Sequence, residues 1–153
     1  MKITDILSPE MVLPELKGTT KPDVLHELSD YLASKHREIE PAALSAVLAE
    51  RERLGSTAIG DGIAIPHGKL AGVNSIIGVF GRHQRGVDFD SLDGGSTHLF
   101  FLLVAPEDSA SLHLKALARV SRLMKDPGFR ERLTAAPDAA EIFRLIKEED
   151  ARH

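Results

Sequence analysis

The 153-residue chain has no cysteine and no tryptophan, and aromatics make up 5% of it. Without cysteine there is no disulfide framework, no zinc ribbon and no thiolate nucleophile. That absence by itself does not fix a compartment. So few aromatics leave no exposed platform for stacking bases. Positive charge is also scarce. With 19 Lys and Arg against 23 Asp and Glu the formal net charge is −4. No Lys/Arg-rich stretch supplies the footprint of a nucleic-acid binder. Long apolar runs are missing too. The longest, Leu99 to Ala105, is far too short to span a bilayer, and Met1-Lys2-Ile3-Thr4-Asp5 lacks the apolar stretch of a signal peptide. The expectation is a cytoplasmic protein with no membrane insertion and no nucleic-acid partner. Hydrophobic residues at 42% and charged ones at 27% are an ordinary globular balance, and the length allows one domain with a real core. No repeat, low-complexity segment or linker divides residues 1–153.

Residues 11–16 read as a short strand. Thr20 then offers an N-cap with Pro22 in the first turn, and Val24, Leu25, Leu28 and Leu32 recur at helical spacing to about His36. Pro41 opens a second helix with Leu44, Val47, Leu48 and Leu54 on its apolar face, and Gly55 stands at the stop position. A small-residue loop, 55–62, leads to a short strand, Ile63-Ala64-Ile65, which Pro66-His67-Gly68-Lys69 ends. Ser75 to Gly81 is a strand, Asp93-Gly94-Gly95 a turn, and Thr97 to Ala105 a strand buried on both faces. Ser109 or Ser111 caps a helix whose apolar side is Leu112, Leu114, Leu117, Val120 and Leu123. Pro127 starts a short helical turn, Pro137-Asp138 starts the last helix, and Lys147 to His153 reads as a frayed tail. Helices, then strands, then helices argue for an α/β single domain, a small mixed β-sheet flanked by helices on both faces.

Seven histidines must be sorted. His26, His36, His83 and His153 read as solvated surface imidazoles, and His98 as a satisfied residue at a strand end. His67 differs. It follows Pro66, which fixes φ and has no N–H, and it precedes Gly68. An abruptly ended strand presents the imidazole beside a backbone with little steric cover, where main-chain N–H groups can approach an anion. Spacing alone leaves a purely structural histidine equally open. Other chemistries fail on spacing. Gly62 lies one residue too far from Gly68-Lys69 for a Walker loop. The Gly60-Asp61-Gly62 run reaches Ile65 where a dinucleotide fingerprint needs Gly or Ala. Ser56 is in no nucleophile elbow, and no His or carboxylate spacing matches a zinc helix.

The run Arg51-Glu52-Arg53-Leu54-Gly55-Ser56-Thr57-Ala58-Ile59-Gly60-Asp61-Gly62-Ile63-Ala64-Ile65-Pro66-His67-Gly68-Lys69 resembles the signature of the fructose/mannitol-type enzyme IIA of the bacterial phosphotransferase system. Leu112-His113-Leu114, with Leu117, is a second match, and the element order agrees across nearly the whole chain. Gly-Ile-Ala-Ile-Pro-His-Gly-Lys in a chain without fused transport domains is most similar to the nitrogen-related regulatory branch. The resemblance implies that His67 is phosphorylated on Nε2 by an HPr-type phosphocarrier protein, with Arg51 and His113 as active-site partners and no cofactor or metal. Neutral imidazole suits that task because its pKa lies near 7, and Arg51 offers a planar contact to two phosphoryl oxygens. Ser56, Thr57 and Gly68 are candidate phosphate contacts, loop capping being the alternative for the two hydroxyls. Arg51 as a solvated helix-end cation and His113 as a half-buried helix histidine are the other readings of those residues. Leu54, Ile59 and Ile63 are expected to frame a docking face. Two roles follow by resemblance: regulation of partners such as kinases or potassium-transport components, or transfer of the phosphoryl group to a sugar-specific enzyme IIB. A binding module without chemistry is the third.

Overall fold

The computed structural model describes residues 1–153. Two short 3₁₀ turns, Ile3–Asp5 and Pro9–Met11, lead into β1 (Val12–Leu13). Helix α1 (Lys21–Lys35) begins where the Thr20 hydroxyl accepts the Asp23 N–H. Helix α2 (Pro41–Arg53) is capped by the Glu40 carboxylate on the Ala43 N–H. Strands β2 (Ala58–Gly60), β3 (Ile63–Ala64), β4 (His67–Lys69), β5 (Ile77–Val87) and β6 (Thr97–Ala105) follow. Helices α3 (Ala110–Leu123), α4 (Pro127–Ala135) and α5 (Ala139–Ala151) complete the chain.

The sheet runs β1-β5-β6-β3-β2, with β4 also on β6. Strand β6 is its axis. It pairs antiparallel with β5 and parallel with both β3 and β4, which lie end to end along its other edge. The sheet is therefore mixed, as expected. The apolar run predicted to be buried on both faces is β6, and all of its residues but His98 are buried. Phe101 meets Phe80 edge-on at 6.1 Å, and Phe100 meets Phe89 at 5.2 Å. Helices α1 and α2 pack on each other and reach β5 and β4, while α3 covers β6 and α5 reaches β1. Between β2 and β3 the chain turns through Asp61 (φ 58°) and Gly62 (φ 78°), the two left-handed residues a tight hairpin needs.

Several local expectations are corrected. The chain does not leave the sheet at Pro66, because His67–Lys69 re-enters it beside β6. Strand β5 continues six residues past Gly81, where the expected strand ended, and takes in His83, expected to be a solvated surface imidazole. The reason is satisfied burial. Arg82 donates to the carbonyls of Pro14, Leu133 and Ala136, and His83 Nε2 sits 2.8 Å from Gly18 O, so both are buried rather than solvated. Leu54 is 80% exposed and does not belong to the apolar face of α2. On α3, Leu112 and Leu114 point outward, and His113, Ala116, Val120 and Leu123 face in. The supposed frayed tail is helix. Buried Asp150 accepts the Ile3 N–H at 2.8 Å and Arg119 Nε–H at 2.7 Å, pinning α5 to the N-terminal segment and α3.

Candidate active site

His67 stands where the edge of the sheet changes strand. Ile63–Ala64 pairs with Leu99 and Phe100, and His67 resumes the pairing opposite Leu103. Between them Leu103 N–H donates to Pro66 O at 2.9 Å. The interruption leaves the His67 side chain half-buried at the surface end of a buried segment. Its Nδ1 lies 2.8 Å from the Ile65 carbonyl oxygen. A carbonyl only accepts, so Nδ1 carries the proton and Nε2 the lone pair. Arg51, in the last turn of α2, points Nε–H at that same Nε2 from 3.3 Å. Only an unprotonated nitrogen can accept it, so both bonds specify one tautomer. Arg51 Nη1 also donates to Gly55 O at 2.9 Å, closing its own helix end.

His113 comes from the first turn of α3. Its ring centroid is 5.3 Å from that of His67 with the planes tilted by 54°. It is buried, and its Nδ1 has no hydrogen-bond partner. Burial is the main cause that holds His67 below the ordinary imidazole range. The Ile65 bond opposes it, the Arg51 charge adds to it and the Glu52 charge opposes it. His113 is also lowered, by burial first and then by His67 and Lys69. Two uncharged imidazoles and one guanidinium thus converge on one point, an arrangement suited to accepting an anionic group. No group of three or more His, Asp or Glu side chains is placed to hold a metal ion. His67 lines neither of two clefts of about 440 and 400 Å³, the smaller of which is lined by Lys21 and Glu52. A half-buried imidazole outside both clefts suits a protein partner better than an enclosed small-molecule site.

The remaining sequence candidates hold the loop together. Ser56 Oγ donates to Phe89 O at 2.7 Å and accepts the Ala58 N–H. Thr57 is buried, and both its N–H and its hydroxyl bind the Glu52 carboxylate. Both hydroxyls are thus engaged within the fold, the loop capping weighed as the alternative for them. Gly68 is needed for packing: a Cβ there would come within 2.6 Å of Val47 Cγ1 on α2. Of the expected rim, Leu54 and Ile59 are exposed (80% and 49%), but Ile63 is core. Glu52, which lies beside Arg51 and bonds Lys21 Nζ at 2.9 Å, was missed in the sequence. A signal existed. An acidic residue in the last turn of a helix opposes the helix dipole and implies a compensating partner.

The model of the phosphoenolpyruvate-dependent sugar phosphotransferase system EIIA 2 family matches residues 5–149. The chain belongs to that family. This EIIA-2 chain is 45% identical to a nitrogen regulatory protein of Bradyrhizobium diazoefficiens over 146 residues, 95% of each chain. It is 35% identical to the fructose-specific EIIABC component of Bacillus subtilis, covering 98% of this chain and 24% of that protein. The crystal structure of nitrogen regulatory protein IIA-Ntr from Neisseria meningitidis superposes with a TM-score of 0.87 at 31% identity, covering 94% of this chain and 98% of that one. The EIIA-2 chain is thus a phosphotransfer component that resembles nitrogen regulatory proteins, and no helix in it is long and apolar enough to cross a membrane.

Proposed function

We propose that this protein is a cytoplasmic phosphocarrier that accepts a phosphoryl group on His67 Nε2 from an HPr-type carrier and regulates partner proteins by its phosphorylation state. One observation carries the reading: Nδ1 is committed to Ile65 O, so the lone pair of Nε2 is turned toward Arg51. In the transfer, the N–P bond on the donor histidine breaks and its electron pair returns to the donor nitrogen. The Nε2 lone pair of His67 forms the new N–P bond. Nδ1–H stays on Ile65 O and disperses the positive charge that develops in the ring. Arg51 shifts its donors from Nε2 to the phosphoryl oxygens, where charge is spread over three atoms, and His113 lines the other side. Ser56 and Thr57 assist indirectly by shaping the loop, and Gly68 by letting β4 sit against α2.

Phosphorylation adds a charge of roughly −1.5 to −2, and Leu54 and Ile59, which the sequence offers as the frame of a docking face, are both exposed. A partner docking there feels that charge directly, and a difference of about 1.4 kcal/mol changes its affinity tenfold. The similarity to a nitrogen regulatory protein over 95% of each chain favours regulation. The match to a fructose-specific component supports a second reading, in which His67 passes the group to an enzyme IIB. Labelling with a phosphorylated HPr-type donor separates these readings from a non-catalytic module. The wild-type chain is expected to take acid-labile, base-stable label, and His67→Ala none. Label that survives acid, or that persists in His67→Ala, refutes the assignment. Rapid onward transfer to a sugar-specific enzyme IIB, with equal affinity of both forms for regulatory targets, selects transport.

A further inference from the structure

Next to Arg51 in the chain, a second polar cluster forms around Glu52. The Glu52 carboxylate is buried at the end of α2. It accepts Thr57 N–H at 3.0 Å, the Thr57 hydroxyl, and Lys21 Nζ from the start of α1 at 2.9 Å. Lys21 in turn reaches Phe89 O at 3.4 Å and lies 4.8 Å from the centroid of the Phe89 ring. Ser56 donates to that same carbonyl. The carboxylate therefore joins α1, the end of α2 and the Gly55–Thr57 loop, and the segment between β5 and β6 is tied in through Lys21 and Ser56.

A buried carboxylate is a poor choice for stability alone. It is desolvated, and it sits at the end of a helix whose dipole disfavours anions. Its position does something an apolar residue cannot. Glu52 fixes Thr57, the loop between them carries Gly55, and the Gly55 carbonyl holds the Arg51 guanidinium beside His67. The pairing with Lys21 has a second consequence. An unmasked carboxylate near His67 would repel an incoming phosphoryl group, and an ammonium at 2.9 Å cancels much of that repulsion.

We propose that Glu52 is the positioning residue of the phosphotransfer site: with Lys21 and Thr57 it locks the loop that orients Arg51 against His67. The inference rests on the reading of His67 as acceptor. Its test follows transfer from the phosphorylated donor carrier to the full chain at several donor concentrations, alongside thermal melting. Glu52→Gln keeps the size of the side chain but loses the charge that binds Lys21. Its maximal rate is expected to fall on the order of 10–100-fold, the scale of a small misplacement in a preorganised site, with the half-saturating donor concentration unchanged. Thr57→Val is expected to be slow for the same reason, and Thr57→Ser, which restores the hydroxyl, to return to the parental rate. A maximal rate for folded Glu52→Gln equal to the parent overturns the proposal. If Glu52→Gln does not fold, Thr57→Val decides: a parental rate in it overturns the proposal, and slow transfer with rescue by Thr57→Ser supports it. Failure of the parent chain to label on His67 defeats the functional reading instead, so the two failures are distinguishable.

Discussion

Arg51 meets His67 Nε2 and the Gly55 carbonyl with different nitrogens, so its removal tests chemistry and stability separately. One lost bond to a carbonyl costs about 1 kcal/mol, which for a chain of this length lowers the melting temperature by roughly 2–4 °C. One lost preorganised cation at a transferring phosphoryl group costs about 2–4 kcal/mol in the barrier. Arg51→Ala is therefore expected to melt almost as the parent does and to accept label far more slowly. A parental labelling rate would return Arg51 to a mere helix-end cation. His67 also sets a pH dependence. Its folded pKa is below the ordinary 6.5, through burial first and the Arg51 charge in addition. The nucleophile stays neutral throughout the neutral range, so the acceptance rate is expected to fall on the acid side with a midpoint below 6.5. Removing the Arg51 charge should move that midpoint upward. NMR titration of the His67 ring reads it directly, and a midpoint above 6.5 in the parent contradicts the geometry. The stability sign follows. The unfolded chain protonates His67 and His113 first, so their contribution is complete above about 6.5 and is lost as pH falls from there to the folded values.

At the scale of elements, the site depends on how closely β4 and α2 approach. The Gly68 Cα faces Val47, and an added methyl would lie 2.6 Å from its Cγ1. Gly68→Ala must push β4 away from α2 or force Val47 from its rotamer, a cost of about 1–3 kcal/mol. Denaturant unfolding is expected to show that loss, and a shift in His67 ring resonances should accompany it because β4 carries the imidazole. An unchanged midpoint would mean that α2 yields freely. Helix α3 carries a related lesson. The sequence offered two leucines flanking His113 as apolar positions, yet the inward row is His113, Ala116, Val120 and Leu123, one stripe of a 3.6-residue period. Periodicity alone could have selected this row only if a histidine had been admitted as an inward residue. Its burial beside His67 decides it.

Across the whole molecule, the last helix closes the fold back on its beginning. Asp150 is buried and bonds both the Ile3 N–H and the Arg119 guanidinium. Asp150→Ala leaves both donors short of an acceptor and is expected to cost about 2–3 kcal/mol. It touches none of the residues around His67, so the labelling rate per folded molecule should stay parental. A reduced rate at full folding would show that this closure reaches the site. Much of this architecture was legible in sequence because local rules set it. Thr20 and Pro22, then Pro41 and Gly55, start and stop helices, and an unbroken apolar run of strand length after a turn signal reads as a strand covered on both faces. The Pro66-His67-Gly68 step, a local geometry, singled out His67 among the seven histidines, and the family resemblance rather than the spacing made it the expected acceptor. What no local rule contains is which distant groups meet. The sequence read β5 as ending at Gly81, because the carbonyls that satisfy Arg82 and His83 come from Pro14, Gly18, Leu133 and Ala136. It read the C-terminal segment as a frayed tail, because the N–H that holds Asp150 lies 147 residues away. It left Ser56 and Thr57 open between phosphate contact and loop capping, because Glu52 and Phe89 reach them only after the loop folds back. The sequence by itself determined most of the helices, the central strand and His67 as the candidate imidazole. The tertiary structure alone decided its tautomer, its neutral state and its partners, because hydrogen bonds and burial between remote segments set those properties.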